Sequence, residues 1–183
     1  MKSFSLVALL AIALTTGCGK KDDVVIVGPD GTKITADQDG TSMTIKDEKG
    51  NVSTFNADNK GGMSMSDGKG GTVELGQGNV SEADLGVPFY PGSADGTAGM
   101  SSKVETDKEK IVTSVRTSKD DLSKVLEFYQ PKVMNPSQSS ATSGSTKVAS
   151  ISGTLEHGTE ITIGATKDGD NDTQIIVTAK HKK

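Results

Sequence analysis

Residues 24–76 read VVIVGPDGTKITADQDGTSMTIKDEKGNVSTFNADNKGGMSMSDGKGGTVELG, and this stretch sets the folding pattern of the first half of the chain. Glycines recur at positions 31, 40, 50, 61 and 70, each directly after an aspartate or a lysine. Such dipeptides are typical of tight turns. Between the turns apolar residues alternate with polar ones, as at Met43 and Ile45. The pattern predicts short antiparallel strands, one for each repeat of about ten residues.

Two functions fit such a meander. A meander of hairpins buries one side, and the simplest role for it is a spacer or platform. The glycine pairs Gly61-Gly62 and Gly70-Gly71 also suggest a calcium-binding β-roll, which needs Gly-x-Asp after each pair. The first pair is followed instead by Met63-Ser64-Met65, so the sequence favours the platform.

The second half predicts a compact domain with one helix. The segment VPFYPGS at residues 87–93 contains Pro91-Gly92, which suits a type II turn. Residues 101–106 and 110–117 alternate like a hairpin, and Ser118 is a candidate N-cap. Leu122, Val125, Leu126 and Tyr129 then follow the spacing of an amphipathic helix, which Pro131 ends.

Three further strands are predicted at residues 147–153, 160–165 and 173–180. The polar stretch SQSSATSGST at residues 137–146 cannot build a core and is expected to be an exposed loop. The predicted order is ββαβββ, one helix on an antiparallel sheet. The fold class expected from the sequence is therefore α+β, preceded by the hairpin meander.

Catalytic side chains are scarce in this chain. Its two histidines are His157, in a predicted hairpin turn, and His181, in the terminal His-Lys-Lys, where both are expected to be solvated. The serines lack the Gly-x-Ser-x-Gly context of a nucleophile elbow. We therefore expect no enzyme and no catalytic residues. The formal net charge of −4 gives no electrostatic basis for nucleic-acid binding either.

Two groups of residues are candidates for ligand binding. Phe89 and Tyr90 lie in the turn segment and Tyr129 on the helix, where they could line a groove, although anchoring the domain is the simpler role. Asp168, Asp170 and Asp172 occupy positions 1, 3 and 5 of a loop that resembles an EF-hand. Ala179 replaces the bidentate glutamate of that loop, so a solvated acidic hairpin is the alternative to a weak calcium site.

The first residues indicate export. Lys2 precedes an apolar run at residues 6–14, which is much shorter than the roughly 20 residues of a membrane-spanning helix. The following Thr15-Thr16-Gly17-Cys18 resembles the lipobox of bacterial lipoproteins, although Thr15 stands where that motif usually has leucine. The resemblance implies that Cys18 is lipidated and becomes the first residue of the mature chain. It also gives a role to the only cysteine, which has no disulfide partner.

By the same resemblance, Gly19 after the cysteine implies the outer membrane, with the protein facing the periplasm. A second likeness covers about residues 85–180, where VPFYPGS, VRTSKDD and LEFYQPKV resemble a domain of uncharacterised exported bacterial proteins. The chain is thus expected to divide into a signal peptide (1–17), a lipidated tether (18–23), a hairpin segment (24–76), a linker (77–86) and an α+β domain (87–183).

The sequence therefore predicts a lipid-anchored envelope protein with a structural or adaptor role. Its expected partners are the membrane, through Cys18, and an envelope protein of unknown identity. The alternative is a ligand-binding or calcium-binding lipoprotein that uses the aromatic residues or the aspartate loop. No other cofactor is expected.

Overall fold

The structure is a computed structural model that describes residues 23–37, 39–59, 61–76, 79–96 and 101–183. The strands are β1 (Val24–Val27), β2 (Lys33–Ala36), β3 (Ser42–Lys46), β4 (Val52–Ala57), β5 (Met63–Ser66), β6 (Thr72–Gly76), β7 (Ala94–Asp95), β8 (Ser101–Glu105), β9 (Glu109–Ser118), β10 (Met134–Ser143), β11 (Thr146–Thr154), β12 (Glu160–Asp168) and β13 (Thr173–Lys182). The helices are α1 (Glu82–Leu85) and α2 (Leu122–Tyr129), and a 3₁₀ turn at Gln130–Lys132 follows α2.

The strands form one continuous antiparallel sheet in the order β1-β2-β3-β4-β5-β6-β8-β9-β13-β12-β11-β10, and the short β7 pairs with β9. Hydrogen bonds between β6 and β8 join the glycine-rich hairpins to the rest of the sheet. Strands make up 54% of the structure and helices 10%. The expectation of an α+β fold is therefore wrong, and the chain is mostly β.

The stretch at residues 137–146, which the sequence predicts to be an exposed loop, is mostly β-strand. Most of it belongs to β10, an edge strand whose ten residues are all exposed. An edge strand needs only backbone hydrogen bonds to one neighbour, so residues that cannot build a core can still form it. The hairpin, helix and three final strands expected from the sequence are present as β8 and β9, α2, and β11 to β13, but β10 adds a strand after the helix, so the predicted order ββαβββ is wrong. Ser118 does not cap α2, because the N-cap residue is Asp121.

The core lies between the two helices and one face of the C-terminal strands. α2 contacts β11 and β12, and α1 contacts β9 and β13. The amphipathic spacing of α2 places Leu122, Val125 and Tyr129 against the sheet, all of them buried. From the sheet, the buried residues of this core are Val112, Ala149, Ile151, Ile161, Ile163, Ala165, Ile175, Val177 and Ala179. We call the side of the sheet that these residues occupy the helix-covered face.

The helix-covered face becomes polar on the N-terminal side of β9. Residues directly opposite one another in an antiparallel pair point to the same face of the sheet. Buried Val112 lies opposite Lys103 in β8, and Lys103 lies opposite Glu74 in β6. Further along the same row, Glu74 lies opposite Ser64 in β5. The charged and polar positions of the hairpins therefore share the side that carries the helices.

Most apolar residues of the hairpins lie on the other side of the sheet, whereas Val25, Val27 and Val52 share the side that carries the helices. Ile111 precedes Val112 in β9 and so points to the opposite face. Ile111 lies opposite Val104, and Val104 lies opposite Val73 in β6. The apolar side of this continuous sheet thus changes at β9, and the hairpin meander turns most of its apolar residues to the face away from the helices.

Asp84 fastens α1 to the sheet. Its carboxylate forms a capping box with Ser81, and it accepts hydrogen bonds from Lys110 Nζ at 2.8 Å and Lys103 Nζ at 3.0 Å. The bond from Lys110, followed by that from Ser81, holds the pKa of Asp84 well below its ordinary value. His181 is half-buried here, with Nε2 2.8 Å from the Asp84 carbonyl oxygen, so the expectation of a solvated His181 is wrong.

Among the described residues, none of the helices is long and apolar enough to cross a membrane.

The change of apolar side predicts that alanine substitutions at two adjacent residues of β13 lower the free energy of unfolding by different amounts. Ile175 is 1% exposed and belongs to the core, whereas Ile176 is 37% exposed on the other face. We expect Ile175→Ala to lower the free energy of unfolding by about 3 kcal/mol, because it leaves a cavity in a packed core. Ile176→Ala should cost less than about 1 kcal/mol. Urea unfolding of the two variants beside the unmodified protein measures both values, and equal costs would contradict the assignment of faces.

Candidate interaction surface

An apolar stripe runs across eight strands on the face away from the helices. It contains two apolar residues from most strands and one each from β8 and β9. Its members are Val24, Ile26, Ile34, Ala36, Met43, Ile45, Phe55, Ala57, Met63, Met65, Val73, Leu75, Val104 and Ile111. We refer to these fourteen residues as the apolar stripe. Ser53 and Ser102 are polar positions in the same rows, and Lys180 borders the stripe opposite Ile111.

The apolar stripe is open in the described structure. None of its residues is buried, and Val24, Ile26 and Met65 are about half exposed. Both described helices contact the C-terminal strands on the opposite face. The largest apolar patch on a monomeric protein is typically about 300–600 Å² and is often functional, so the apolar stripe is a candidate interaction site.

Phe55 lies near the centre of the stripe. It lies in β4, directly opposite Met43 in β3 and Met65 in β5. Methionine side chains are flexible and adapt to the shape of a partner. The largest side chain of the stripe is thus surrounded by its most adaptable ones, as in many binding surfaces.

The turns at the ends of the stripe repeat one hydrogen-bond pattern. An aspartate precedes the turn glycine by three residues in four of the turns, at Asp37, Asp47, Asp58 and Asp67. In the last of these, Asp67 Oδ1 accepts hydrogen bonds from the backbone nitrogens of Lys69 at 2.8 Å and Gly71 at 2.9 Å. Gly70 has a φ of 97°, a conformation that glycine adopts readily. This Asp-x-x-Gly repeat is visible in the sequence but was not recognised there.

These hydrogen bonds act on the acidity of the aspartates. The backbone N–H groups of Lys69 and Gly71 stabilise the charged carboxylate and hold the pKa of Asp67 below its ordinary value. The pKa of Asp47 is lowered chiefly by the Asn51 side chain, and that of Asp37 by the Ser42 backbone. The charged carboxylates therefore support the turns that hold the stripe residues in register.

The two edges of the sheet differ in character. β1 exposes four apolar residues, Val24 to Val27. β10 at the other edge is polar, contains Pro136 and has a register shift between Met134 and Ser137. Proline and bulges hinder pairing with a further strand. The polar edge is thus protected, and the apolar edge lies beside the open stripe.

The aromatic residues proposed as ligand contacts come together in the core. The ring of Phe128 packs edge-on against Tyr90 at 5.4 Å and against Tyr129 at 4.9 Å. Tyr90 donates a hydrogen bond to Asp120 at 2.9 Å, and Tyr129 is fully buried. Burial raises the pKa of Tyr129 to about 12. The rings fill space between the VPFYPGS segment and α2, and ligand binding by them stays a prediction.

Phe89 lies at the surface of this cluster, under the guanidinium of Arg116 at 4.2 Å. Arg116 also donates hydrogen bonds to the Ser93 carbonyl oxygen at 2.8 Å and to Asp95 at 2.7 Å. The arginine thus ties the VPFYPGS segment to β9. The attraction between the guanidinium and the ring of Phe89 adds to these hydrogen bonds.

The aspartate loop is engaged in linking two hairpins. Asp168 Oδ1 accepts hydrogen bonds from Ser145 Oγ at 2.6 Å and Thr146 Oγ1 at 3.0 Å. The bond from Ser145 is the main cause that lowers the pKa of Asp168. Asp170 lines a polar cleft of about 420 Å³ that also holds Lys167. Among the described residues no group of three or more histidine, cysteine or acidic side chains is arranged to hold a metal.

Cys18, the predicted lipidation site, lies outside the described residues. Calcium binding at Asp168, Asp170 and Asp172 likewise remains a prediction from the sequence.

The turn aspartates predict an acid-sensitive meander. Because the pKa of Asp67 is lower in the folded chain, its contribution to stability is present above the unfolded value of about 3.9 and is lost as the pH falls through the folded value. We expect the amide-exchange protection of residues 63–76, corrected for intrinsic rates, to fall below about pH 4. Asp67→Asn should flatten that dependence, whereas the control Asp172→Asn, in the exposed turn between β12 and β13, should retain it. An unchanged profile in Asp67→Asn would contradict the role of the carboxylate.

The engagement of Asp168 predicts a weak response to calcium. Millimolar calcium should raise the melting temperature by less than about 1 °C relative to magnesium, because ligand-induced stabilisation requires a concentration well above Kd. Thermal unfolding followed by circular dichroism measures the shift. A rise of several degrees that Asp170→Asn abolishes would support the calcium site instead.

Comparison with known proteins adds no relative: no family model, no curated protein and no solved structure matches this chain.

Proposed function

We propose that this chain is a lipid-anchored bacterial envelope protein without catalytic activity, in a structural or adaptor role. The observation that carries the role is the open apolar stripe on one face of a sheet whose core lies on the other face. Such a surface suits protein interaction, because contiguous apolar area that is left uncovered commonly marks an interaction site. The envelope location rests on the resemblance of the first residues to a lipoprotein signal.

The anchor and the surface are close along the chain. Only residues 19–23 separate Cys18 from β1. Five residues span at most about 18 Å when fully extended. Lipidation of Cys18 therefore keeps the meander near the membrane, where it can contact other envelope components. In our proposal the membrane is the outer one and the sheet faces the periplasm.

The histidines give the proposal further support. His157 lies exposed in the turn between β11 and β12, and His181 is engaged with Thr159 and the Asp84 backbone. His157 is thus a surface residue, and His181 helps to hold α1 on the sheet. A role as general base requires a histidine within hydrogen-bond reach of a substrate site.

Cys18→Ala tests the anchor. The unmodified chain should incorporate radiolabelled palmitate and sediment with the outer membrane, whereas Cys18→Ala should do neither, because it lacks the thiol that receives the lipid. Labelling with inner-membrane sedimentation would contradict the outer-membrane location alone. Absence of label from the unmodified chain would contradict the anchor.

The adaptor role is tested at the stripe itself. A photo-crosslinking residue at Met65 should form adducts with protein in cells, whereas the same residue at Ser64 on the other face should not. The matched positions differ by one residue and lie on opposite faces of β5. Equal adducts at both positions, or none at either, would contradict the adaptor role.

A further inference from the structure

The following inference concerns what covers the apolar stripe, and it rests on the proposed role of the stripe as an interaction surface. We propose that the stripe of one copy packs face to face on the stripe of a second copy, so that two single-layer meanders form a β-sandwich. The C-terminal halves would then extend in opposite directions from the shared meanders. The helices lie on the far face of each sheet and do not obstruct this contact.

The size of the stripe is consistent with a weak dimer. Eight strands at a spacing of about 4.8 Å give a length of about 34 Å, and two residues per strand give a width of about 13 Å. Two stripes then contribute about 900 Å² of apolar area, and the surrounding polar residues bring the total to the range of about 1,000–1,200 Å² for a small specific interface. Sheets packed in this way lie about 10 Å apart with their twists aligned.

The position of Phe55 fits a two-fold axis. β4 and β5 are the fourth and fifth of the eight strands, so an axis parallel to the strands and between these two passes through the middle of the stripe. Phe55 and Met65 lie directly opposite each other at that place. In the dimer each Phe55 therefore meets the same central residues of the other copy, where sulfur–aromatic contacts are favourable.

The charges around the stripe allow two copies to approach. Acidic and basic residues alternate in the described turns at one end of the strands, as in Asp47 and Lys49, Asp67 and Lys69, and Asp107 and Lys108. A rim with both signs can pair with its own copy across a two-fold axis. A rim in which the two signs balance gives no net attraction to an anionic lipid surface, so we favour the second copy over the bilayer as the occupant.

Membrane anchoring strengthens a weak contact of this kind. Two chains held on one surface have a raised effective concentration, so an interface that is weak in solution is well populated there. The experiment is therefore done with the full chain in cells. Two versions with different affinity tags, each with a photo-crosslinking residue at Met65, are expressed together and irradiated.

We expect a product of twice the chain mass that carries both tags, formed from Met65 and at least ten-fold less from Ser64. Phe55→Glu should reduce this product at least ten-fold, because it places a charge at the centre of an apolar contact. Asn56 follows Phe55 in β4 and points to the opposite face, so Asn56→Glu should leave the amount of product unchanged. Resistance to trypsin shows whether each variant is folded, and Met43→Lys serves as a second stripe variant if Phe55→Glu is not.

Three results would overturn the proposal. Adducts of Met65 with phospholipid in place of a second chain would assign the stripe to the membrane, and adducts with a different protein would assign it to that partner. A doubly tagged product that forms equally from Val25 and survives Phe55→Glu would place the contact at the β1 edge. Palmitate labelling of the same cells reports on the anchor independently, so failure of the dimer and failure of the anchor are distinguished.

Discussion

A β-strand presents alternate residues to opposite faces, and this constraint organises the whole molecule. Each strand can contribute only one face to a core, so a continuous sheet with helices on one side normally keeps its other side polar. β9 departs from this rule, because buried Val112 points towards the helices while Ile111 continues an apolar row on the other face. The C-terminal core and the open stripe share this strand but lie on opposite sides of it.

The meander forms without a core of its own. Its cohesion comes from the hydrogen bonds between strands, from cross-strand pairs such as Phe55 and Met65, and from the turns. Pairs of this kind contribute about 0.2–1 kcal/mol each, which is small for a single pair but adds up across the five strand junctions of β1 to β6. The Asp-x-x-Gly turns support the register, since the carboxylates of Asp47, Asp58 and Asp67 accept hydrogen bonds from backbone N–H groups across the turn.

Local structure could be predicted from the sequence because its signals are local. The spacing of Leu122, Val125 and Tyr129 identified α2, and alternation identified the strands that follow it. β10 escaped prediction because an exposed edge strand has no apolar pattern, and its strand conformation depends on β11. The open stripe escaped for a related reason. Alternation shows which residues of one strand share a face. Whether that face lies on the side of the helices or on the other side depends on the pairing across β6, β8 and β9.

The repeating turn also bears on how this protein can change in length. Each turn-and-strand unit contacts mainly its two neighbours and is about ten residues long. Duplication or loss of two successive units preserves the direction of every following strand. The strands of the C-terminal core can therefore pair as before. A single unit would reverse that direction. This half of the chain can therefore lengthen or shorten by whole hairpins. Homologous proteins of different length should differ by about twenty residues.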